Sequence, residues 1–120
     1  MKKKTLVLGA STKEERYSNK AINRLINSTH DVVAIGAKRG KVAGVEIDIT
    51  EVFYDGIDTI TLYLNPLKQK DYYEYILGLK PKRVIFNPGT ENPELYEILK
   101  RANIEIEVAC TLVLLSTDQY

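Results

Sequence analysis

Four short apolar runs alternate along the chain with segments of helical spacing, and each run is closed by a strand-ending residue. Thr5-Leu6-Val7-Leu8 closes on Gly9, and Asp31-Val32-Val33-Ala34-Ile35 on Gly36. Thr59–Leu64 stops at Asn65-Pro66, and Arg83-Val84-Ile85-Phe86 at Asn87-Pro88-Gly89. Continuous runs of this length read as strands buried on both faces. The residue before a proline is held extended, which ends the pairing. Between the runs, Ala21, Ile22, Leu25 and Ile26 lie on one face of a helix over Ser18–Ser28. Tyr72, Tyr73, Ile76 and Leu77 predict a helix over Leu67–Leu79, ended by Lys80-Pro81. Leu95, Ile98, Leu99 and Ala102 stripe a third helix, which Asn92 caps and Pro93 opens. Val45–Ile49 and Ile104–Val108 alternate with period two and read as half-exposed edge strands. Lys38–Lys41 reads as a basic loop, and Cys110–Leu115 as a closing turn of helix.

Strands joined by crossover helices imply a parallel sheet covered on both faces. Right-handed crossovers make this an α/β fold, a three-layer doubly wound parallel sheet. At 120 residues the chain is expected to form one domain, 1–120. The 17 Lys+Arg nearly balance the 16 Asp+Glu, which argues against a nucleic-acid surface. No apolar run approaches the roughly 20 residues needed to cross a bilayer, and the stretch after Met1-Lys2-Lys3-Lys4 is too short for a signal-peptide core. A single cysteine allows no internal disulfide, and one histidine leaves a poor set of metal ligands. The expected compartment is the cytoplasm.

Doubly wound sheets bind ligands beyond the carboxyl ends of their strands, where the strand order reverses. The first loop there runs from Gly9 through Ala10, Ser11, Thr12 and Lys13 to Arg16, Tyr17, Ser18 and Asn19. Glycine at the strand end permits close approach to the backbone, and free N–H groups at the next helix favour phosphate. Ser11, Thr12 and Ser18 add hydroxyls, while Lys13 and Arg16 add charge. The same segment also reads as a plain strand-to-helix turn with Ser18 as cap. It lacks the second and third glycines of the Gly-x-Gly-x-x-Gly dinucleotide fingerprint.

The second strand ends Ile35-Gly36-Ala37-Lys38-Arg39, with no carboxylate to hold a free ribose diol. Two cations suit a phosphorylated ribose, which both NADP and coenzyme A carry. Hydride transfer normally needs a substrate domain beyond the nucleotide fold, which favours coenzyme A and leaves NADP as the alternative. Asn65-Pro66 and Asn87-Pro88-Gly89 place two asparagines beside the first loop, each offering a donor and an acceptor, although both also suit turns. Tyr17 lies in the first loop and is a candidate to pack on a ligand. His30 reads as a surface turn residue on the amino-terminal side of the sheet, and Cys110 as a small buried hydrophobe.

Taken in order, these segments resemble the small stand-alone CoA-binding proteins, single-domain relatives of the nucleotide-binding domain of the succinyl-CoA synthetase alpha subunit. The likeness runs from Thr5 to about Leu115. It rests on Val7-Leu8-Gly9-Ala10-Ser11, on Arg16-Tyr17-Ser18-Asn19, and on the strand ending Val33-Ala34-Ile35. It rests also on Asn87-Pro88-Gly89 and on Ile106-Glu107-Val108-Ala109-Cys110-Thr111. The resemblance implies a Rossmann-like fold that binds coenzyme A. Gly9, Ala10, Ser11, Arg16, Tyr17, Ser18 and Asn19 would then line the diphosphate and adenosine side. Lys38 and Arg39 would face the ribose phosphate, and Asn65, Pro66 and Asn87 would border the pantetheine arm. Many relatives end the second strand with Asn-Pro where this chain has Gly36-Ala37. The catalytic histidine of the synthetases belongs to a further domain, so their activity is not implied.

The expectation is a cytoplasmic binder of coenzyme A or an acyl-CoA, more binder than enzyme, with a small-molecule nucleotide ligand and no nucleic-acid or membrane partner. Edge pairing could make a homodimer, and a protein partner is left open. One alternative is an NADP-binding module or small reductase. Another is a protein-interaction domain with a degenerate nucleotide site, in which the four loops converge on no open cleft.

Overall fold

The computed structural model describes residues 2–120. Its strands are β1 (Thr5–Ala10), β2 (Val32–Gly36), β3 (Gly40–Val42), β4 (Val45–Asp48), β5 (Thr59–Leu62), β6 (Arg83–Phe86) and β7 (Glu105–Val108). Its α-helices are α1 (Tyr17–Asn27), α2 (Pro66–Gln69), α3 (Tyr73–Leu79), α4 (Pro93–Arg101) and α5 (Thr111–Ser116). One sheet takes all seven strands in the order β3-β4-β2-β1-β5-β6-β7. Every neighbouring pair is parallel except β3 with β4. The chain winds outward from β1 through β2 to β4, then crosses back to β5 on the other side of β1. The order therefore reverses at β1, the position where doubly wound sheets open a crevice.

The core lies on both faces of the sheet. Leu6 and Leu8 of β1 join Ile60, Leu62, Val84 and Phe86 on the face covered by α3 and α4. Val7 joins Ala34, Val45 and Ile47 on the face covered by Ile22 and Leu25 of α1. Each fully buried Leu, Ile, Val or Phe among them contributes about 1.5–3 kcal/mol. Strict alternation would send Ala10 to the same face as Leu8. The register slips between Leu8 and Ala10, so Ala10 instead joins Val7. Gly9 carries that irregularity at φ +102°, and a Cβ there would stand 2.9 Å from the Tyr63 carbonyl carbon.

Four sequence expectations are corrected. Val45–Ile49 is not an edge, because β3 pairs antiparallel outside β4. The turn between them, Ala43-Gly44, has positive φ at both residues, as two-residue hairpins require. Gly40 and Lys41, expected in a loop, are thus part of a strand. The expected helix over Leu67–Leu79 is divided into α2, a 3-10 turn at Lys70–Tyr72, and α3. The break has a physical reason: the buried Gln69 amide binds back to Leu64 and Thr90, while α3 must lay Ile76 and Leu79 on the sheet. Finally, Arg16, not Ser18, is the residue preceding α1, and Ser18 is buried in its first turn. No helix among the described residues is long and apolar enough to cross a membrane.

At the amino-terminal end of the sheet, Arg83 is buried and bonded to Glu107 at 2.9 Å and to Thr59 Oγ1 at 3.2 Å. Its guanidinium stacks on the Tyr120 ring at 4.6 Å. His30 lies at the same end, with its ring 4.9 Å from that of Tyr120.

Candidate functional site

The loops after β1, β2, β5 and β6 converge over the carboxyl ends of the strands. They enclose a cleft of about 620 Å³, within the roughly 300–1,000 Å³ typical of small-molecule sites. The β1–α1 loop lines it with Gly9, Ala10, Ser11, Thr12 and Lys13, and the start of α1 with Arg16, Tyr17 and Ser18. The β2–β3 connection contributes Ala37 and Lys38. Tyr63, Leu64, Asn65 and Lys68 come from the β5–α2 side, and Pro88, Gly89 and Thr90 from the β6–α4 loop.

Hydrogen bonds hold the first loop in place. Lys13 N donates to Ser11 Oγ at 3.1 Å, and Asn19 Nδ2 donates to the Ser11 carbonyl at 3.1 Å. Asn19 Oδ1 in turn accepts from Asn23 Nδ2 at 3.1 Å. Gly36 lets the first two loops approach, since a Cβ there would stand 2.2 Å from the Ala10 carbonyl oxygen. Asn65 caps α2 by accepting from Lys68 N at 2.9 Å.

The electrostatics of the cleft are one-sided. Lys13, Arg16, Lys38 and Lys68 line it, and no carboxylate does. Glu91 stands near the rim, where its carboxylate accepts from Gly89 N at 2.9 Å. The first turn of α1 has no acidic residue and no side-chain cap. The Asn19 N–H bonds the Arg16 carbonyl at 3.1 Å, so the Tyr17 and Ser18 N–H groups and the positive end of the dipole are the part available to an anion in the cleft. Among the titratable groups at the cleft, burial pushes the Tyr63 phenol up to about 12. It stays protonated at neutral pH. Tyr17 is 65% exposed at the mouth, with Lys20 Nζ 5.3 Å from its ring centre.

Of the residues singled out in the sequence, Gly9, Ala10, Ser11, Arg16, Tyr17, Ser18, Lys38 and Asn65 line the cleft, and Asn19, Arg39, Pro66 and Asn87 do not. Asn19 acts from behind, through Ser11. Asn87 is buried, and its side chain is fully engaged by protein: Nδ2 donates to Thr61 Oγ1 at 2.7 Å and to the Leu62 carbonyl at 2.9 Å. Its Oδ1 accepts from Thr111 N at 2.8 Å. Arg39 is exposed beside the cleft. Sequence reasoning missed Tyr63, Leu64 and Lys68. Lys68 had a usable signal, since a capping asparagine places the residue three positions on in the first helical turn. Cys110 is half-buried rather than buried and precedes α5 as its cap residue. His30 accepts from Lys3 N at 2.9 Å, at the end of the sheet away from the cleft. No cluster of three or more His, Cys, Asp or Glu suited to a metal occurs among the described residues.

Fold and cleft together define a Rossmann-like α/β domain with an open cationic crevice at the point where the strand order reverses. More particularly, the chain belongs to the CoA binding domain family, whose model matches residues 3–116. Its structure superposes with a TM-score of 0.98 on the crystal structure of an uncharacterized protein, 49% identical, covering 100% of this chain and 99% of that one. A hypothetical protein from Pyrococcus horikoshii OT3 is similar at 28% identity and TM-score 0.83, over 93% of this chain and 80% of that one. A Thermus thermophilus protein shares the fold at 22% identity and TM-score 0.86, over 99% of this chain and 91% of that one. No curated protein matches the chain.

Proposed function

We propose that the cleft binds coenzyme A or an acyl-CoA by recognition alone, without catalysis by this chain. The observation that carries the reading is the set of four cations, free of any lining carboxylate, around the open start of α1 in a member of a CoA-binding family. The donor set fits a polyphosphate. Backbone N–H groups of the β1–α1 loop and the first turn of α1 would hold the diphosphate, with Lys13 and Arg16 adding charge. Lys38, at the end of β2, would hold the ribose phosphate. Tyr17, aromatic and exposed at the mouth, would cover the adenine. The chain is proposed to act as one domain, in the cytoplasm.

NADP is the second reading, because a cation at the end of β2 suits either ribose phosphate. The interaction-domain alternative expected loops that converge on no cleft, whereas they converge on an open one. The test is a thermal-shift titration of ligand-free protein with coenzyme A, 3′-dephospho-coenzyme A, NADP and NAD. Saturation at about 100 times the dissociation constant adds roughly 2.7 kcal/mol of stability. A rise with coenzyme A, smaller with the dephospho form, is expected. A rise with NADP alone would move the assignment to that nucleotide, and no rise with any ligand would refute nucleotide binding.

A further inference from the structure

Two of the segments that carry the cations of the cleft meet at two glycines. Gly36 ends β2, and a Cβ there would stand 2.2 Å from the Ala10 carbonyl oxygen. Gly40 opens β3, and a Cβ there would stand 2.3 Å from Thr12 Cγ2. The Thr12 methyl therefore occupies the place that a side chain at position 40 would take. Gly40 is not among the glycines with positive φ, so contact and not backbone conformation keeps a side chain out.

Ala37, Lys38 and Arg39 run between these glycines with little slack. β4 lies between β2 and β3 in the sheet, and its Ile47 pairs with Gly40, so the three residues bridge over the carboxyl end of β4. Two interstrand spacings come to about 9.5 Å, and four extended Cα steps reach only about 13 Å. One end of this bridge rests on Ala10 at the end of β1, the other on Thr12 in the loop that follows. Lys38, in the middle of the bridge, lines the cleft, as do Lys13 and the start of α1 beyond Thr12. The separation between Lys38 and the open start of α1 is thus set by packing at two glycines, one against backbone and one against a methyl group.

We propose that Thr12 and Gly40 are positioning residues: their contact holds the bridge against the β1–α1 loop and fixes the reach between two anion-binding points, which selects ligands with two phosphate groups on one ribose. This rests on the coenzyme A reading above and adds to it what makes the second phosphate count. A ligand anchored at both points gains because the second anchor is already in place, whereas a ligand with one anchor has no use for the spacing.

The test is calorimetric titration of wild type, Gly40→Ala, Thr12→Ser and the double variant with coenzyme A and 3′-dephospho-coenzyme A. Gly40→Ala drives a methyl group into that of Thr12. Thr12→Ser removes the latter and leaves the Cβ of residue 12 as the nearest atom, at 3.7 Å. The double variant therefore moves the methyl from one side of the contact to the other. Gly40→Ala is expected to weaken coenzyme A about tenfold and the dephospho form less than about twofold, and the double variant to recover coenzyme A to within about threefold of wild type. An equal loss for both ligands, no loss for either, or a loss that Thr12→Ser does not repair would overturn the assignment while leaving coenzyme A binding intact. If Gly40→Ala does not fold, Thr12→Ser decides, since residue 12 is exposed. It should weaken coenzyme A about threefold and leave the dephospho form unchanged, and any other pattern refutes the proposal. Wild type that binds NADP instead would overturn the coenzyme A reading alone, and the same variants then read the contact with NADP against NAD. Wild type that binds none of the four would overturn the functional reading and this inference with it.

Discussion

Asn87 and Thr111 are joined across the carboxyl end of the sheet, where Asn87 Oδ1 accepts the Thr111 N–H at 2.8 Å. The bond ties the end of β6 to the start of α5, and Thr61 completes the group: its Oγ1 bonds the Thr111 hydroxyl at 2.8 Å and accepts from Asn87 Nδ2. Asn87→Ala would leave the Thr111 N–H and the Leu62 carbonyl without this partner in a buried setting. A loss of about 3 kcal/mol is expected, from unsatisfied groups costing about 1–3 kcal/mol each. Urea denaturation measures it. A loss under half a kcal/mol would mean that water or Thr61 replaces the amide.

Gly36 should be less tolerant of a methyl group than any open-loop glycine. Its missing Cβ faces the Ala10 carbonyl oxygen at 2.2 Å, backbone against backbone. Gly36→Ala must push β1 and β2 apart beside the cleft, at a cost of about 3 kcal/mol. Gly44 and Gly56 have nothing within 4 Å, although both have positive φ. Alanine there should cost only the backbone penalty, about 1 kcal/mol. Melting temperatures of the three variants rank the two effects, and equal shifts would contradict the close-approach argument.

Much of this architecture was legible because β1, β2, β5 and β6 are buried on both faces. Their continuous apolar runs leave little choice between strand and surface, and Asn65-Pro66 and Asn87-Pro88-Gly89 mark where each must stop. The hairpin of β3 with β4 was hidden because Ala43-Gly44 is a weak turn signal and β3 is only three residues long. The division of the helix at Gln69 was hidden for a different reason: its cause is a bond to Thr90, 21 residues away. The same distinction governs the cleft. Ser11 and Lys38 could be read as candidates from their place after a strand. The engagement of Asn87 with Thr61 and Thr111 is a tertiary fact with no local pattern.

Stability should depend on the protonation of His30. Its pKa is lowered, chiefly by burial and then by the Lys3 charge, so the folded state prefers the neutral ring. Neutral Nδ1 accepts the Lys3 N–H, and protonation removes that acceptor. A base with a depressed folded pKa contributes fully above its unfolded value, about 6.5, and that contribution is lost as pH falls through the folded value. The urea midpoint should therefore decline on going from pH 8 to pH 5. His30→Gln, which cannot titrate, should flatten that part of the curve. A decline of equal size in the variant would assign it to other groups.

Lys38 and Arg39 are adjacent cations, but only Lys38 lines the cleft. If Lys38 holds the ribose phosphate, Lys38→Glu replaces attraction by repulsion at that phosphate and should weaken coenzyme A at least tenfold. The 3′-dephospho form, lacking that phosphate, should lose much less. Arg39→Glu alters an exposed charge beside the cleft, so its effect should be small at low salt and vanish near physiological ionic strength, where screening acts over about 8 Å. Calorimetric titration of both ligands against both variants, at two salt concentrations, separates the roles. A loss shared equally by the two ligands would move the ribose phosphate away from Lys38. A larger loss in Arg39→Glu than in Lys38→Glu would mean that the exposed guanidinium folds over the bound nucleotide.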